Sequence, residues 1–407
     1  MGARCQAPAF EVGSERLKVW YHVRRPYRTD FTGGFRSSAL RGVCDMLKVA
    51  LVGCGRAAEL HAVEIQAMRQ AQMVAVCDRE PLMAEQFAAR HKIPRFYADF
   101  SKLLAAERPD VVHIATPPQT HLALAIESAE AGCHIFLEKP LGLDLPEANR
   151  IIDCAIASQV KLTTGYTHKF DPVARMMRQL IREGVLGEPL YVDSYFGYDL
   201  DGAFGASVLA DSSHWVHALP GKLIQNVIDH PLSEVAEFLT DSRPAIRAYA
   251  YRRRDCAEGQ PFSPAEFPDE LRVMVTGENV SANLTFSSHA RPVGHELILL
   301  GTHNTMHVDF VSEVVTFKSP PRHRGSLGRL VLPFNQAGQY LQGAGKNVAR
   351  FFRSEFYYSA GLNFLISLFY RSITDGVTIP ISYAHMRRVA AMTDEIVRQL
   401  QTAPAGD

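Results

Sequence analysis

The feature that most constrains this chain is a regular alternation of short apolar runs and helical segments, which begins at Leu47. The apolar runs cover residues 47–53, 73–77, 110–115, 134–137 and 161–164. The segments between them have helical composition, and they cover residues 56–69, 81–90, 120–131 and 146–157. Strands that alternate with helices of this length form βαβ units and a parallel sheet. The pattern therefore predicts an α/β domain.

The turn after the first run has the sequence Gly53-Cys-Gly-Arg-Ala-Ala58, which is the spacing of a glycine-rich dinucleotide-binding turn. Gly53 permits the tight turn, Gly55 lets the backbone approach a pyrophosphate, and a small third residue allows close helix–strand packing. Arg56 and Ala57 then open a helix whose N-terminus favours phosphate charge. We therefore expect this turn to bind a dinucleotide cofactor.

Two residues after the second run bear on which cofactor binds. Asp78 follows Gly55 by 23 residues, where an acidic side chain can bind the adenosine ribose hydroxyls. Its charge repels a 2′-phosphate and favours NAD, whereas Arg79 can stack on adenine or accept a phosphate. We expect NAD, with NADP as the alternative. The competing interpretation, which needs no cofactor, is a tight turn followed by a surface aspartate.

Further motifs follow in order along the chain: Thr116-Pro-Pro-x2-His121, Glu138-Lys-Pro140 and a later His230. Together with the glycine turn and His61, they resemble the family of glucose-fructose oxidoreductase and inositol 2-dehydrogenase over nearly all of residues 47–400. The resemblance implies an N-terminal Rossmann domain with a parallel sheet. It also implies a C-terminal α+β domain with an open, mostly antiparallel sheet.

The resemblance also implies roles for individual residues. Lys139 would lie beside the nicotinamide and the reacting carbinol, and Glu138 would lie near the nicotinamide ribose. Thr116 and Pro117 would line the cofactor, with His121 nearby. A lysine held partly out of water beside a positive nicotinamide has a lowered pKa, so it can help to take the hydroxyl proton. The competing interpretation is a solvated surface lysine.

The family usually carries an Asp and, four residues later, a His on one helix, and here Asn226 and His230 occupy those places. This spacing predicts that both side chains share one helix face towards the cleft. His230 would hydrogen-bond the reacting hydroxyl or a neighbouring one, and it can act as acid or base near neutral pH. Asn226 can orient a group but cannot accept a proton, so Lys139 is the more secure catalytic candidate.

Five more residues are candidates for the substrate pocket: His168, Lys169, His214, Trp215 and His217. For the first two, a solvated loop is an equal alternative. Histidines also suggest a zinc site, but no cysteine accompanies them and the resembled family needs no metal, so we expect none. Trp215 can stack on a sugar ring or pack in the core.

The second half changes to short strands, expected at residues 190–196, 271–276, 281–287, 295–300 and 305–310, with helices near 173–183, 355–374 and 382–400. Residues 319–348 are rich in Gly, Pro and Arg and are expected to form a long loop or lid. The predicted boundaries are an extension at 1–45, a Rossmann domain at 46–165, a substrate-binding and oligomerisation domain at 166–400, and a tail at 401–407.

Composition excludes some functions. The chain has 43 basic and 43 acidic residues, which argues against a nucleic-acid partner held through phosphates. Seven scattered cysteines without a CxxC pair indicate free thiols in a reducing cytoplasm. No apolar run is long enough to span a bilayer, so no membrane partner is expected. Residues 1–45 carry a net charge of +4 and lack a signal-peptide core, which suggests Met46 as the true start.

The expected function is hydride transfer between NAD(P) and a carbinol of a sugar, a nucleotide-linked sugar or a cyclic polyol, in a homo-oligomer (dimer or tetramer). Two alternatives stay open. The first is an NAD-dependent glycoside hydrolase of the same fold, which would release sugar without net cofactor turnover. The second is a non-catalytic, cofactor-binding regulator, against which the presence of both Lys139 and His230 argues.

Overall fold

The structure is a computed structural model, and it describes residues 46–200, 202–253, 268–320 and 325–402. The predicted N-terminal extension and most of the predicted tail lie outside the described residues. Within them, no helix is both long and apolar enough to cross a lipid bilayer.

The N-terminal part is a six-stranded parallel sheet with the strand order β3-β2-β1-β4-β5-β6. Its strands are β1 Leu47–Val52, β2 Ala71–Cys77, β3 Arg95–Tyr97, β4 Val111–Ile114, β5 His134–Leu137 and β6 Leu162–Thr164. The helices are α1 Arg56–Gln66, α2 Pro81–His91, α3 Phe100–Glu107, α4 His121–Glu130 and α5 Leu145–Ala157. Strand order reverses between β1 and β4, and ligands bind at the carboxyl ends of strands at such a point.

The second part is a seven-stranded sheet with the order β13-β12-β11-β7-β10-β9-β8, in which only β10 and β7 pair in parallel. Its strands are β7 Pro189–Gly197, β8 Ala245–Tyr251, β9 Glu270–Thr276, β10 Ser281–Ser287, β11 His295–Gly301, β12 Thr305–Asp309 and β13 Val314–Lys318. Its helices are α6 Pro172–Arg182, α7 Ala203–Ala210, α8 Lys222–Val227, α9 Asp229–Val235, α10 Ser326–Phe352, α11 Ala360–Thr374 and α12 Tyr383–Thr402. The expected fold class is confirmed.

The two sheets differ in burial, as their pairing requires. Every residue of β4 is buried, whereas β11 alternates between buried and more exposed positions. Parallel strands in such folds are covered by helices on both faces, while an antiparallel sheet leaves one face open. Four described cysteines, Cys54, Cys77, Cys133 and Cys154, are free thiols, as expected.

The prediction of a long loop or lid at residues 319–348 is wrong. Apart from 321–324, which lie outside the described residues, most of this segment forms α10. The helix packs along the sheet's edge strand, where the Gln339 amide accepts a hydrogen bond from Phe317 N at 2.8 Å and donates one to Phe317 O at 2.9 Å. A Cβ on Gly343 would lie 2.8 Å from Val314, so glycine permits this close approach. Glycines that suggested a loop thus include one that the helix packing requires.

Candidate active site

The glycine turn has the two properties that a pyrophosphate site requires. At Gly53, φ is +89° and a Cβ would lie 2.6 Å from the carbonyl oxygen of Ala115, so only glycine fits. A Cβ on Gly55 would meet no atom within 4 Å. Because Gly55 is the N-cap of α1, which starts at Arg56, open space lies before the free N–H groups of the helix. These features fit the phosphates of a dinucleotide.

Asp78 braces this turn from the end of β2. Its Oδ2 accepts a hydrogen bond from Cys54 N at 2.8 Å, and its Oδ1 accepts one from Glu80 N at 3.0 Å. Each carboxylate oxygen has a second lone pair, so ribose hydroxyls can still donate to it. The Arg79 side chain is 90% exposed.

Glu138, directly after β5, is held by a buried histidine of α1. His61 Nε2 donates to Glu138 Oε1 at 2.9 Å, and Lys139 N donates to Glu138 Oε2 at 3.1 Å. Burial opposes ionisation, but the hydrogen bond from His61 and the nearby positive charge of Lys139 hold the pKa of Glu138 below its usual value. Glu138 is therefore a carboxylate at neutral pH.

The hydrogen bonds continue beyond His61 into the core. His61 Nδ1 lies 2.8 Å from His113 Nδ1, and His113 Nε2 lies 2.9 Å from the Tyr370 hydroxyl. Burial lowers the pKa of His113 far below its usual value, so that ring is neutral. With His61 donating to Glu138, the consistent arrangement has His113 donate to His61 and Tyr370 donate to His113. The orientation of Glu138 is thus fixed through α11.

Lys139 projects from the carboxyl edge of the parallel sheet towards the second half of the chain. Its Nζ donates to the backbone oxygen of Asn226 at 2.7 Å. Burial lowers the pKa of Lys139, while the charges of Glu138 and Asp229 oppose that change. A lysine in this environment can reach its neutral form more easily than a solvated one.

His121 joins the Thr116–Pro117 loop to the segment after Lys139. Its ring nitrogens lie 2.9 Å from Pro140 O and 3.0 Å from Thr116 O, and the side chain is fully buried. It therefore holds the Thr116–Pro117 loop and the segment after Lys139 in position, and it does not line the cavity.

On the opposite wall, two histidine rings pack edge to face with their centroids 4.8 Å apart: His168 and His230. His168 Nδ1 donates to Asp171 Oδ2 at 2.8 Å, and although burial opposes protonation, that partner raises the pKa of His168. Burial, together with Lys139 and neighbouring histidines, lowers the pKa of His230 far below its usual value. Among the described residues, Nδ1 of His230 has no hydrogen-bond partner. His230 is therefore a neutral ring with an unused polar atom.

These walls enclose a cavity of about 160 Å³. Glu138, Lys139 and His61 line it on one side, and His168, Asp171 and His230 line it on the other. Tyr358 and Ser359, which precede α11, also border it. A volume of this order accommodates part of a small polar ligand, and its polar groups converge from both sides.

The structure does not bring every expected site residue into the cavity. Lys169 is buried, and its Nζ donates to Glu237 Oε2 at 2.7 Å. It therefore forms an ion pair inside the protein and does not line the cavity. Asn226 and His230 lie on consecutive short helices, α8 and α9, and not on one helix. Asn226 contributes its backbone oxygen to Lys139.

The segment with His214, Trp215 and His217 lies beside the cofactor loop and outside the cavity lining. Trp215 O accepts a hydrogen bond from Gln119 Nε2 at 3.1 Å, and His217 Nε2 donates to Val208 O at 2.7 Å. Across the described ranges, no group of three or more His, Cys, Asp or Glu side chains has the geometry to hold a metal ion.

Four groups important to the site were not predicted as site residues: His61, Asp171, Asp229 and Tyr358. His61 belongs to the motif spacing used above, and Asp171 follows His168 by three residues, so local patterns could have indicated both. Asp229 directly precedes His230 in the chain, so it too has a local signal, whereas Tyr358 reaches the site only through tertiary packing and no local pattern indicates it.

Comparison with known proteins agrees with this geometry. Residues 47–166 match the model of the GFO_IDH_MocA oxidoreductase family, described as an NAD-binding Rossmann fold. The similarity to this family model lies within residues 47–166 of the 407-residue chain. The match confirms the expected NAD-binding domain and places the glycine turn, Asp78 and Glu138–Lys139 within it.

Among curated relatives, D-glucoside 3-dehydrogenase of Escherichia coli (strain K12) is 31% identical over 147 residues, which is 36% of this chain and 42% of the relative. Inositol 2-dehydrogenase of Rhizobium meliloti (strain 1021) is 33% identical over 142 residues, 35% of this chain and 42% of the relative. The matched stretches thus span less than half the length of these relatives.

Among solved structures, levoglucosan dehydrogenase in complex with NADH and levoglucosan superimposes with a TM-score of 0.69 at 18% identity. The match covers 88% of this chain and 98% of that one. At this identity the likeness shows a shared fold, and it extends the resemblance through the second sheet.

Proposed function

We propose that this protein is an NAD(P)-dependent oxidoreductase that oxidises or reduces a carbinol of a sugar, a nucleotide-linked sugar or a cyclic polyol. The observation that carries the proposal is the convergence of Lys139 with His230 and the His168–Asp171 pair around one cavity at the carboxyl edge of the parallel sheet. The named activities of the relatives, on glucosides and inositol, agree with this substrate class.

The Gly53–Ala58 turn, Asp78 and the Thr116–Pro117 loop would hold the cofactor, and the bound nicotinamide supplies the hydride acceptor or donor. The chain's own side chains transfer the proton. In the direction of oxidation, neutral Nζ of Lys139 accepts the proton of the reacting hydroxyl, and in reduction it returns that proton. The carbonyl oxygen of Asn226 holds Nζ in place.

His230 and the His168–Asp171 pair bind the hydroxyls of the ligand. A neutral imidazole has one donor and one acceptor nitrogen, so the unpartnered Nδ1 of His230 can bond one hydroxyl. His168, whose Nδ1 donates to Asp171, offers its other nitrogen to the cavity, as an acceptor when the ring is neutral and as a donor when it is protonated. A ring that carries several adjacent hydroxyls matches these groups better than a simple alcohol, and orientation of both reactants supplies much of the acceleration.

The test is a direct assay of the purified full chain with NAD⁺ or NADP⁺ and a panel of sugars, nucleotide-linked sugars and cyclic polyols. We expect the absorbance of the reduced nicotinamide to rise with at least one class. The Lys139→Ala variant should lose this activity, whereas Lys48→Ala, which changes an exposed lysine of β1, should keep it. Release of sugar from a glycoside without accumulation of reduced cofactor would favour the hydrolase. No change with any class would favour the regulator.

A further inference from the structure

Helix α10 presents large apolar side chains to solvent. Phe334, Leu341 and Phe352 are 70%, 74% and 80% exposed. At about 100° per residue, these and the other exposed apolar side chains fall within an arc of about 140° on one side of the helix. The full set is Leu327, Leu330, Phe334, Tyr340, Leu341, Val348, Phe351 and Phe352. We call it the apolar face of α10.

The opposite side of the helix is polar and is the side that contacts the protein. The Gln339 amide bonds both backbone groups of Phe317, and Asn347 Nδ2 donates to Ser312 O at 2.7 Å. Arg350 pairs with Glu313. A surface helix of a globular protein normally turns its apolar stripe to the core, so α10 is inverted. Polar contacts therefore hold the helix against the protein, while its apolar face is exposed to solvent.

The charge of this segment indicates what that partner is. From residue 314 to 354 the chain contains seven Lys or Arg residues and no Asp or Glu, although the whole chain is neutral. Three of the seven, Arg329, Lys346 and Arg350, lie in α10, and Arg353 directly follows it. Arg329, Lys346 and Arg353 are exposed. A basic helix with Phe and Leu on its other face has the composition of helices that lie in the membrane interface, where anionic headgroups attract Lys and Arg.

We propose that α10 attaches the protein to membranes that contain anionic lipids by placing its apolar face among the headgroups, parallel to the surface. Such attachment needs no spanning helix, so it is compatible with the lack of one in the described part of the chain. It differs from the expectation of no membrane partner. A second copy of this chain fits the face less well, because a two-fold pairing of identical helices would bring two uniformly basic segments together.

The proposal is tested by vesicle flotation of the full chain. We expect it to float with vesicles of phosphatidylcholine and phosphatidylglycerol, to float weakly with phosphatidylcholine alone, and to lose binding as salt rises. The triple variant Phe334→Ser/Leu341→Ser/Phe352→Ser should bind more than about tenfold less. The control Leu82→Ser/Met83→Ser/Val377→Ser changes three exposed apolar side chains outside α10 to the same residue and should float like the unmodified chain.

Two outcomes would overturn the proposal. One is flotation that the triple variant leaves unchanged. The other is a dimer, detected by light scattering, that the triple variant abolishes while vesicle binding is absent. Should the triple variant fail to fold, hydrogen exchange of the unmodified chain decides. Anionic vesicles should protect amides between 326 and 354, and protection confined to other segments would contradict the proposal.

Discussion

The two walls of the cavity are built in different ways. On the cofactor side, Glu138 and Lys139 have hydrogen bonds to His61 and to the Asn226 backbone. On the histidine side, His168 is paired with Asp171, but Nδ1 of His230 has no partner in the described residues. A buried polar atom without a partner costs free energy. From this contrast we expect that the cofactor side keeps its arrangement without a ligand, whereas a bound ligand completes the histidine side.

The largest effect is expected from Lys139→Ala. If Lys139 transfers the proton, the substitution should lower kcat by about 10²–10⁴-fold, the usual range for loss of a general acid or base. Cofactor affinity should change little, because the glycine turn and Asp78 are untouched. Steady-state kinetics and titration of NADH fluorescence measure the two quantities. A large loss of NADH affinity with unchanged kcat would assign Lys139 to cofactor binding instead.

His230→Ala should have the next largest effect, mainly on substrate binding. Removing the unpartnered ring should raise KM and lower kcat/KM by about tenfold or more, since a hydrogen bond to an otherwise unpaired buried group contributes about 1–3 kcal/mol. Because that atom lacks a partner in the free protein, thermal stability should fall less than it would for a fully bonded buried histidine such as His61. His61→Ala is the matched comparison. If both variants lost the same Tm, the proposed difference between a fully bonded cofactor side and a histidine side with an unpartnered atom would be wrong.

The two sides also differ in how far the sequence predicted them. Gly53, Asp78 and Lys139 each follow a strand end, so the βαβ pattern and short spacings place them at one edge. The resemblance implies His230, but it does not predict the helix break between α8 and α9. Lys169 is expected either in the pocket or in a solvated loop, and it is instead buried and pairs with Glu237. Whether a lysine points to a cavity or to a buried carboxylate depends on residues 68 positions away, which no local pattern contains.

Long-range contacts also explain why the sequence pattern predicts a loop where the structure has helix α10. Glycines and Pro333 lower helix propensity, and this favoured a loop. The edge strand provides polar contacts along the helix, and Gly343 lets it approach, so tertiary packing overrides the local preference.

A third prediction concerns what supports the histidine side. Although burial favours its neutral form, the charges of Lys169 and Arg178 hold the pKa of Glu237 at about 2. Arg178 also bonds Lys169 O, directly after His168. Since the folded-state pKa lies below the ordinary value, this stabilisation is present above about pH 4.5 and is lost as pH falls through about 2.

Glu237→Gln should therefore lower the free energy of unfolding at neutral pH by about 3 kcal/mol, because it leaves the buried Lys169 and the partly buried Arg178 without their carboxylate. Chemical denaturation at neutral and acid pH measures this difference, which should shrink as the pH falls. Glu278→Gln changes an exposed glutamate and should have little effect. A loss for Glu237→Gln that is constant with pH would show that charge is not its cause.

The smallest effect on rate is expected where the two walls meet. Asp229 is buried beside His230 in the chain, accepts a hydrogen bond from Thr393 Oγ1 at 2.7 Å, and its charge acts on Lys139. Burial raises the pKa of Asp229 to about 6, opposed by Thr393 and Lys139. Because the folded-state pKa is raised, the contribution of this group to stability is present below about pH 4 and is lost as pH rises through about 6.

Asp229→Asn keeps the acceptor for Thr393 and removes the charge, so two consequences follow. The variant should gain Tm relative to the unmodified protein as pH rises from about 4 to above 6. Lys139, without a neighbouring negative charge, should have a still lower pKa, so the acid limb of the kcat/KM profile for oxidation should move to lower pH, with the maximum rate changed by less than about tenfold. A limb that moves to higher pH, or does not move, would show that the carboxylate of Asp229 does not tune Lys139. The cofactor side would then be organised by Glu138 and His61 alone.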